Sequence, residues 1–303
     1  MNFIKRAAQV TRIVPALLPW VTDEQFLRAA YRVLLERAPD AGGQAHFLRQ
    51  LRQKEVTRWG VVRAIRKSVE YRLHWGAPLI PTEALHQARL LLIQYHLPPA
   101  EVILDLGGAA VGHPEGALLL MGYPHRSREI TIVDLPPVQR LGHGRGAEPV
   151  TELTTASGTR VRYLYRSMGD LADIPAASVD LVFSGESIEH ISEAEGDQVC
   201  REAFRVLTPG GYFCLDTPNA ALTRLHSPNA FIHPEHQKEY RAPELRAKLE
   251  RWGFNIVAEQ GVCPMPESLR TGIFHEKELT GNIRLTDKAS DGYLFFLKAR
   301  KPE

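Results

Sequence analysis

The chain has 303 residues, of which 44% are hydrophobic, and its 37 Lys and Arg against 35 Asp and Glu leave a net charge of +2. This length and composition supply a sizeable core, enough for one large domain and a small one. The three cysteines are odd in number and widely spaced, which argues against a disulfide framework or a zinc knuckle: Cys200, Cys214 and Cys263.

The first 20 residues form a basic amphipathic segment. Apolar residues from Phe3 to Trp20 alternate with Lys5, Arg6 and Arg12. Such a segment can rest on an anionic membrane surface, and a helix packed on a second domain or a dimer contact explains the same pattern. The segment has no cleavage site, and no stretch of the chain reaches the roughly 20 apolar residues of a membrane span. We therefore predict a cytoplasmic protein, with peripheral contact at the inner membrane face as an option.

Charge divides the chain into two parts. Residues 1–80 contain 14 Lys and Arg and 6 Asp and Glu, a net charge of +8, so the remainder carries −6. Prolines at positions 78 and 81 stop a helix close to this change of sign. We predict a helical domain over residues 1–80 and a second domain over 81–303.

The first domain is predicted to contain three helices. Thr22 and Gln25 form a capping box at the start of the first helix. The segment 38–43 breaks this helix, a second apolar stripe begins at Ala45, and a third helix ends near Tyr71.

The string from Phe26 to Gly43 resembles a small bacterial helical domain of undefined function. That domain is often joined to glycosyltransferases and methyltransferases of surface-polysaccharide pathways. The resemblance implies an extracellular-glycan pathway by association, and a helical cap packed on the second domain explains the same helices.

A strand, a small-residue loop, a helix and a second strand that ends in an acid run from Val102 to Asp134. Both strands are continuous apolar runs, which is typical of a buried parallel sheet. Gly107 and Gly108 let a ligand approach the backbone where the first strand gives way to an apolar helix. Asp134 stands where nucleotide-binding folds place an acid that accepts hydrogen bonds from ribose hydroxyls. The unit therefore predicts a nucleoside site.

The glycine spacing narrows the class of nucleoside. The loop contains Gly107, Gly108 and Gly112 with alanines between them, so the G-x-G-x-x-G pattern of a dinucleotide site is not formed. The lysine of a Walker loop does not follow the glycines either. A cofactor without a phosphate therefore fits this loop better than a cofactor with a phosphate chain does.

Three later motifs complete a family pattern. They are residues 168–175, the Glu-His pair at 189–190 after an apolar strand, and the Arg-Val-Leu-Thr-Pro-Gly-Gly turn at 205–211. In this order, over residues 82–302, the chain resembles the class I S-adenosylmethionine-dependent methyltransferases.

The resemblance implies S-adenosyl-L-methionine as the cofactor and gives roles to matching positions. Asp134 would accept from the ribose hydroxyls, Leu135 would pack against adenine, and Asp170 would accept from the adenine amine. The Leu171 backbone would lie beside it, and Asp105 would reach the methionine amino group directly or through water. The other positions assigned to the cofactor follow or end strands: Gly107, Gly108 and Ser184.

Methyl transfer to a hydroxyl also needs a base near the acceptor. His190 after the fourth strand is one candidate, and His233 and His236 in the polar loop after the fifth are the others. A structural role in a loop or at a helix start is the alternative for each. A divalent ion held by His233, His236 and Glu239, with Asp216 as an additional candidate ligand, is a further alternative, but this ligand set is incomplete and we predict no metal.

The second domain is predicted to be α/β, a Rossmann-like doubly wound and mostly parallel sheet of seven strands with helices on both faces. Residues 138–160 and 262–290 are predicted to be loop insertions. The last strand should be antiparallel. The predicted strands are 102–107, 130–135, 161–166, 179–184, 211–217, 254–260 and 292–299.

Together these patterns predict an S-adenosylmethionine-dependent methyltransferase that O-methylates a sugar in bacterial surface-glycan biosynthesis. A small-molecule methyltransferase is the alternative enzyme. A catalytically inactive scaffold is suggested by Ala109 and Val111, which stand where the family's later glycines would fall. Nucleic acid is not expected as a partner, because the fourth strand ends in Ser-Gly-Glu at 184–186 rather than in Asn/Asp-Pro-Pro-Tyr.

Overall fold

The computed structural model describes residues 12–76, 79–139 and 149–303, and it divides the chain into Met1–Glu83 and Ala84–Glu303. Most of the predicted amphipathic segment and the first proline of the predicted linker lie outside the described residues. Each of the two units has its own hydrophobic core.

The first unit is helical. Its capping box is confirmed, because Thr22 Oγ1 accepts from Gln25 N at 3.2 Å and Gln25 Oε1 accepts from Thr22 N at 3.0 Å. Phe26 and Leu27 of the first helix share a core with Val61 of the third. The α-helices of this unit are α1 Asp23–Leu35, α2 Ala41–Arg52, α3 Arg58–Lys67 and α4 Val69–His74.

Two predictions for this unit are wrong in detail. Gly43 lies in the first turn of α2 rather than in a break, because its N–H donates to Asp40 Oδ1 at 2.7 Å and so caps the helix. The third helix ends at Lys67, and the residues up to Tyr71 belong to α4. Ser68 separates the two helices, since its hydroxyl accepts from Tyr71 N at 3.2 Å.

The second unit contains a mixed sheet with the predicted doubly wound order, β3-β4-β2-β1-β5-β6-β9-β7-β8. Strand β1 pairs in parallel with β2 on one side and with β5 on the other, and β9 is antiparallel to both β6 and β7. The strands are β1 Val102–Leu106, β2 Glu129–Asp134, β3 Glu152–Thr154, β4 Arg160–Tyr165, β5 Val179–Gly185, β6 Leu207–Pro218, β7 Asn255–Pro264, β8 Leu285–Thr286 and β9 Gly292–Arg300.

The α/β fold class is confirmed, and all seven predicted strands are present. Within the described ranges the sheet has nine strands rather than seven, because β3 and β8 pair at its two edges. These two strands lie inside segments that were predicted to be loops. Each is only two or three residues long, too short for an alternating or apolar pattern to mark it in the sequence.

Helices cover both faces of this sheet. Alternate residues of β1 point to opposite faces, so Leu104 belongs to the core under α7 and α9, and Ile103 to the core under α5. Pro81 begins a helix rather than stopping one, which suits the first turn because proline lacks an N–H. The helices are α5 Pro81–His96, α6 Ala117–Leu120, α7 Glu193–Val206, α8 Ala220–His226, α9 Ala242–Arg251, α10 Pro266–Thr271 and α11 Glu276–Gly281.

The helix predicted after the glycine loop is a single turn, α6. It begins after Gly116, which has φ +89°, and is followed by Gly122 with φ +77°, so glycines in the left-handed region lie at both of its ends. None of the helices in the described residues is long and apolar enough to span a bilayer.

We predict that the second unit folds without residues 1–80. This deletion leaves α5, the sheet and both of its cores intact, so we expect cooperative thermal unfolding and unchanged affinity for S-adenosylhomocysteine. Circular dichroism and calorimetry on the truncated and full chains measure these quantities. Insoluble protein or lost binding would show instead that the helical unit is integral to the fold.

Candidate functional site

The carboxyl ends of β1, β2 and β5 open into one cavity of about 630 Å³. The chain leaves β1 towards β2 on one side and returns to β5 on the other, so the cavity lies at the switch point of the sheet. Ligands of open α/β sheets bind at such points. The segments after these three strands line the cavity together with residues 234–237.

The loop after β1 requires both of its first two glycines. Gly107 has φ +75°, and a Cβ there would lie 2.5 Å from the Cβ of Ser187. A Cβ on Gly108 would lie 2.0 Å from Asp105 Oδ2. The loop therefore packs directly on Asp105 and on the segment after β5.

Asp134 fixes the other side of this loop. Its Oδ2 accepts from Ala109 N at 3.1 Å, and its Oδ1 accepts from Leu135 N at 2.7 Å. Leu135 is 43% exposed and lines the cavity beside Gly107 and Asp134. The three predicted cofactor positions nearest the ends of β1 and β2 are thus brought together in one cavity.

Asp105 lies beneath the loop and not on the cavity wall. Its carboxylate is buried, and among the described residues its Oδ2 has no hydrogen-bond partner. Burial, together with the neighbouring negative charge of Asp134, raises the pKa of Asp105 to about 7. Asp105 is therefore a carboxyl that changes charge near neutral pH.

Four further predicted cofactor residues, besides Asp105, lie away from the cavity wall. Gly108 is in the loop directly above Asp105, and Ser184 is buried with its hydroxyl 2.7 Å from Ser187 Oγ. Leu171 is a core residue, and the Asp170 side chain is 55% exposed, 3.9 Å from Arg166. Their binding roles stay predictions.

The structure brings the three predicted histidines into one cluster. His190 ends a short 3₁₀ turn after β5, and His233 and His236 lie in the loop after α8. The ring centroids of His190 and His236 are 4.8 Å apart, and those of His190 and His233 are 5.8 Å apart. His190 and His236 line the cavity, whereas the His233 side chain is 51% exposed beside it.

A carboxylate orients one member of this histidine cluster. His236 Nδ1 lies 2.8 Å from Glu239 Oε1, and Thr223 and the Ile232 N–H also donate to Glu239. Burial would raise the pKa of Glu239, but these hydrogen bonds hold it below its ordinary value. Burial, with the neighbouring His236, lowers the pKa of His190. A neutral His236 therefore keeps its Nδ1 proton on the Glu239 side and its lone pair on Nε2.

Sequence reasoning missed a buried charge network under the cavity. Arg89 of α5 donates to Asp216 Oδ2 at 2.6 Å and pairs with Glu186 Oε2 at 2.8 Å. Glu189 is fully buried, and this burial and the charge of Glu186 raise its pKa well above its ordinary value. The sequence shows acids at the ends of two apolar strands. However, no feature of the α5 sequence indicates that Arg89 pairs with them.

Comparisons with known proteins show a similarity to methyltransferases. Residues 111–215 match the family model described as a methyltransferase domain. A probable S-adenosylmethionine-dependent methyltransferase of Mycolicibacterium smegmatis is 34% identical over 136 residues, covering 40% of this chain and 52% of that protein. The ubiquinone biosynthesis O-methyltransferase of Xanthomonas axonopodis is 31% identical over 152 residues, covering 48% and 56%. The chain thus spans about half the length of these curated relatives.

Among solved structures, an S-adenosylmethionine-dependent methyltransferase from Thermotoga maritima aligns with 73% of this chain and 91% of its own, at 14% identity and a TM-score of 0.49. Residues 19–74 match a domain of unknown function (DUF4214), which confirms the resemblance to a helical domain of undefined function.

The segment that matches the methyltransferase-domain model, residues 111–215, runs from the loop after β1 into β6, and it includes the ends of β2 and β5 that border the cavity.

We predict that Asp105 makes stability fall as the pH rises from about 4 to about 7. The folded protein keeps the proton on this carboxyl up to about pH 7, whereas the unfolded chain loses it near its ordinary pKa of 3.8. Asp105→Asn is neutral throughout, so from pH 4 to pH 8 it should gain up to about 4 kcal/mol of unfolding free energy relative to wild type. Urea unfolding of both proteins at both pH values measures this gain. Parallel pH profiles would contradict it.

Proposed function

We propose that the protein transfers the methyl group of S-adenosylmethionine to a hydroxyl oxygen of an organic acceptor. One observation carries this proposal: a single cavity is lined both by Gly107, Asp134 and Leu135 and by His190 and His236. The cofactor and a group that can take a proton would therefore share one space.

The cofactor side suits a nucleoside without a phosphate chain. The Asp134 carboxylate, held by backbone N–H groups, can accept from ribose hydroxyls, and the exposed side chain of Leu135 offers an apolar surface to adenine. Asp105, beneath the glycine loop, would favour the cofactor's ammonium group once it ionises. We also propose that the Asp170 carboxylate accepts a hydrogen bond from the adenine amine.

The chemistry is an in-line displacement. The acceptor oxygen attacks the methyl carbon, the carbon–sulfur bond breaks with both electrons going to sulfur, and S-adenosylhomocysteine leaves. The hydroxyl proton passes to Nε2 of His236, and the Glu239 carboxylate stabilises the resulting imidazolium through Nδ1.

A hydroxyl acceptor is supported by the curated relative whose name describes an O-methyltransferase of ubiquinone biosynthesis. We propose a sugar of a bacterial surface glycan as the specific acceptor, and this choice rests on the first unit alone. The net charge of +8 over residues 1–80 supports a further role of that unit in binding an anionic membrane or glycan carrier. A small hydroxylated molecule is the alternative acceptor.

The inactive scaffold is the less favoured alternative. It was suggested by alanine and valine where the family usually has glycine, yet the Ala109 N–H still donates to Asp134 at 3.1 Å. The contact between loop and acid thus needs the backbone rather than a glycine at this position. The cluster of histidines across the same cavity also supports catalysis over a scaffold.

We expect S-adenosylhomocysteine to bind with micromolar affinity, about −8 kcal/mol, in isothermal titration calorimetry. Asp134→Ala should weaken this binding by roughly 1.5–3 kcal/mol, because charge-assisted hydrogen bonds to the ribose are lost. Glu276→Ala, an exposed acid of α11, is the matched control and should bind like wild type. Binding of NAD in place of S-adenosylhomocysteine would contradict the proposed cofactor.

We also expect His236→Ala to lower turnover ~10²–10⁴-fold on a hydroxylated acceptor while cofactor affinity stays within threefold of wild type. The acceptor is first found by screening sugars and phenols for transfer of labelled methyl groups from the cofactor. His125→Ala, in the same unit but absent from the cavity lining, is the control. Near-normal turnover of His236→Ala would remove this residue from the mechanism.

A further inference from the structure

We propose that His190, His233 and His236 form a binding site for one divalent transition-metal ion, preferentially Zn²⁺, with an open coordination position towards the cavity. One ring nitrogen from each histidine lies within 4.8 Å of the other two. Tetrahedral Zn–N bonds of about 2.0–2.1 Å place ligand nitrogens about 3.4 Å apart, so a short inward movement completes the site. His233, the most exposed of the three, is free to make that movement.

The two loops that carry the histidines are fastened to each other. The carbonyl of Glu189 accepts from Gln237 N at 2.8 Å and from Lys238 N at 3.1 Å. The Gln237 side-chain amide donates to the carbonyl of His190 at 2.9 Å. These bonds join Glu189 and His190 to Gln237 and Lys238, the two residues that follow His236. The cluster is therefore set by the fold, so that little ordering remains for an ion to impose.

Outer-sphere partners orient two of the rings. Glu239 holds Nδ1 of His236, and Thr223 and Ile232 N in turn hold Glu239. A carboxylate on the far nitrogen of a histidine is the usual support of a metal-bound imidazole, since it fixes the tautomer and raises the ligand's basicity. His233 accepts from Glu235 N in a long contact of 3.3 Å, which ligation through either nitrogen would replace at small cost.

The surrounding charge favours a cation. The Glu235 carboxylate lies 3.7 Å from Nδ1 of His233. Glu239 adds a second carboxylate in direct contact with His236. A divalent ion among three neutral imidazoles would offset this excess of negative charge.

The donor set selects the class of metal. Three imidazoles suit Zn²⁺, Co²⁺ or Ni²⁺ and not the oxygen-seeking Mg²⁺ or Ca²⁺. Three protein ligands with one open position are typical of catalytic rather than structural zinc. Since His190 and His236 line the cavity, the open position faces the acceptor.

An acceptor hydroxyl bound at that position would lose its proton to solvent more readily, and its oxygen would then attack the methyl carbon. In the zinc-loaded protein the histidines act as ligands, whereas in the metal-free protein Nε2 of His236 remains the base. This role of the ion rests on the proposed methyl transfer, whereas binding of the ion does not.

The test is calorimetric titration of Zn²⁺ into the full chain, prepared without a histidine tag and freed of metal by chelation. We expect one ion per chain, and at least tenfold weaker binding for His233→Ala and for His236→Ala. Glu239→Gln should weaken binding about 10–100-fold through the lost orienting carboxylate. His46→Ala, an exposed histidine of the first unit, should bind like wild type. Visible absorption of the Co²⁺ form should report tetrahedral nitrogen coordination in wild type and not in His233→Ala.

S-adenosylhomocysteine titrations of the same variants keep the two proposals separate. Cofactor binding by wild type without stoichiometric Zn²⁺ binding would overturn the metal site and leave methyl transfer standing. Zn²⁺ binding without cofactor binding would overturn the proposed methyl transfer and leave the metal site standing. Equal Zn²⁺ affinity in wild type and His233→Ala also overturns the metal site, and since His233 is exposed, this variant should not disturb the fold.

Discussion

The contact between the loops after β1 and β5 is the constraint on which the whole cavity depends. Ser187 Oγ donates to the Leu106 carbonyl at 2.7 Å and lies 2.7 Å from Ser184 Oγ, while its Cβ occupies the space that a side chain on Gly107 would need. Because this serine is three residues before His190, the contact sets the distance between the glycine loop and the histidines. The parallel register of β1 and β5 brings the two loops to the same edge of the sheet.

The central strands β1, β2 and β5 could be predicted from the sequence because buried parallel strands are apolar runs, and these three end next to a glycine or an acid. The edge strands β3 and β8 could not, since they depend on pairing with a neighbour rather than on their own residues. The capping box at Thr22 was predictable for the opposite reason, because both of its partners lie within one turn of chain. The break predicted at 38–43 is present but ends at Asp40, because Asp40 caps a helix that begins at Ala41 and includes both glycines in its first turn.

The candidate site shows the same division. Asp134 was predicted from its position at a strand end and Leu135 from the family resemblance, whereas the packing of Leu171 into the core depends on its turn folding over α7. The three histidines were named one by one, but their approach to each other across about 45 residues of chain is a tertiary fact. Arg89 was invisible because a cation on an amphipathic helix is usually solvated, and only the buried acids of other elements give it a role.

At Glu186, strain in the backbone is opposed by an ion pair with a buried arginine. It is a glutamate with φ +49°, a backbone conformation that costs a non-glycine residue roughly 1 kcal/mol. A glycine would relieve that cost but would also remove the carboxylate that pairs with Arg89 at 2.8 Å. Removing one partner of a buried guanidinium generally costs more than this backbone strain does, so the glycine protein should be less stable than wild type. The strained conformation of Glu186 is therefore retained because its ion pair beneath the cavity outweighs it.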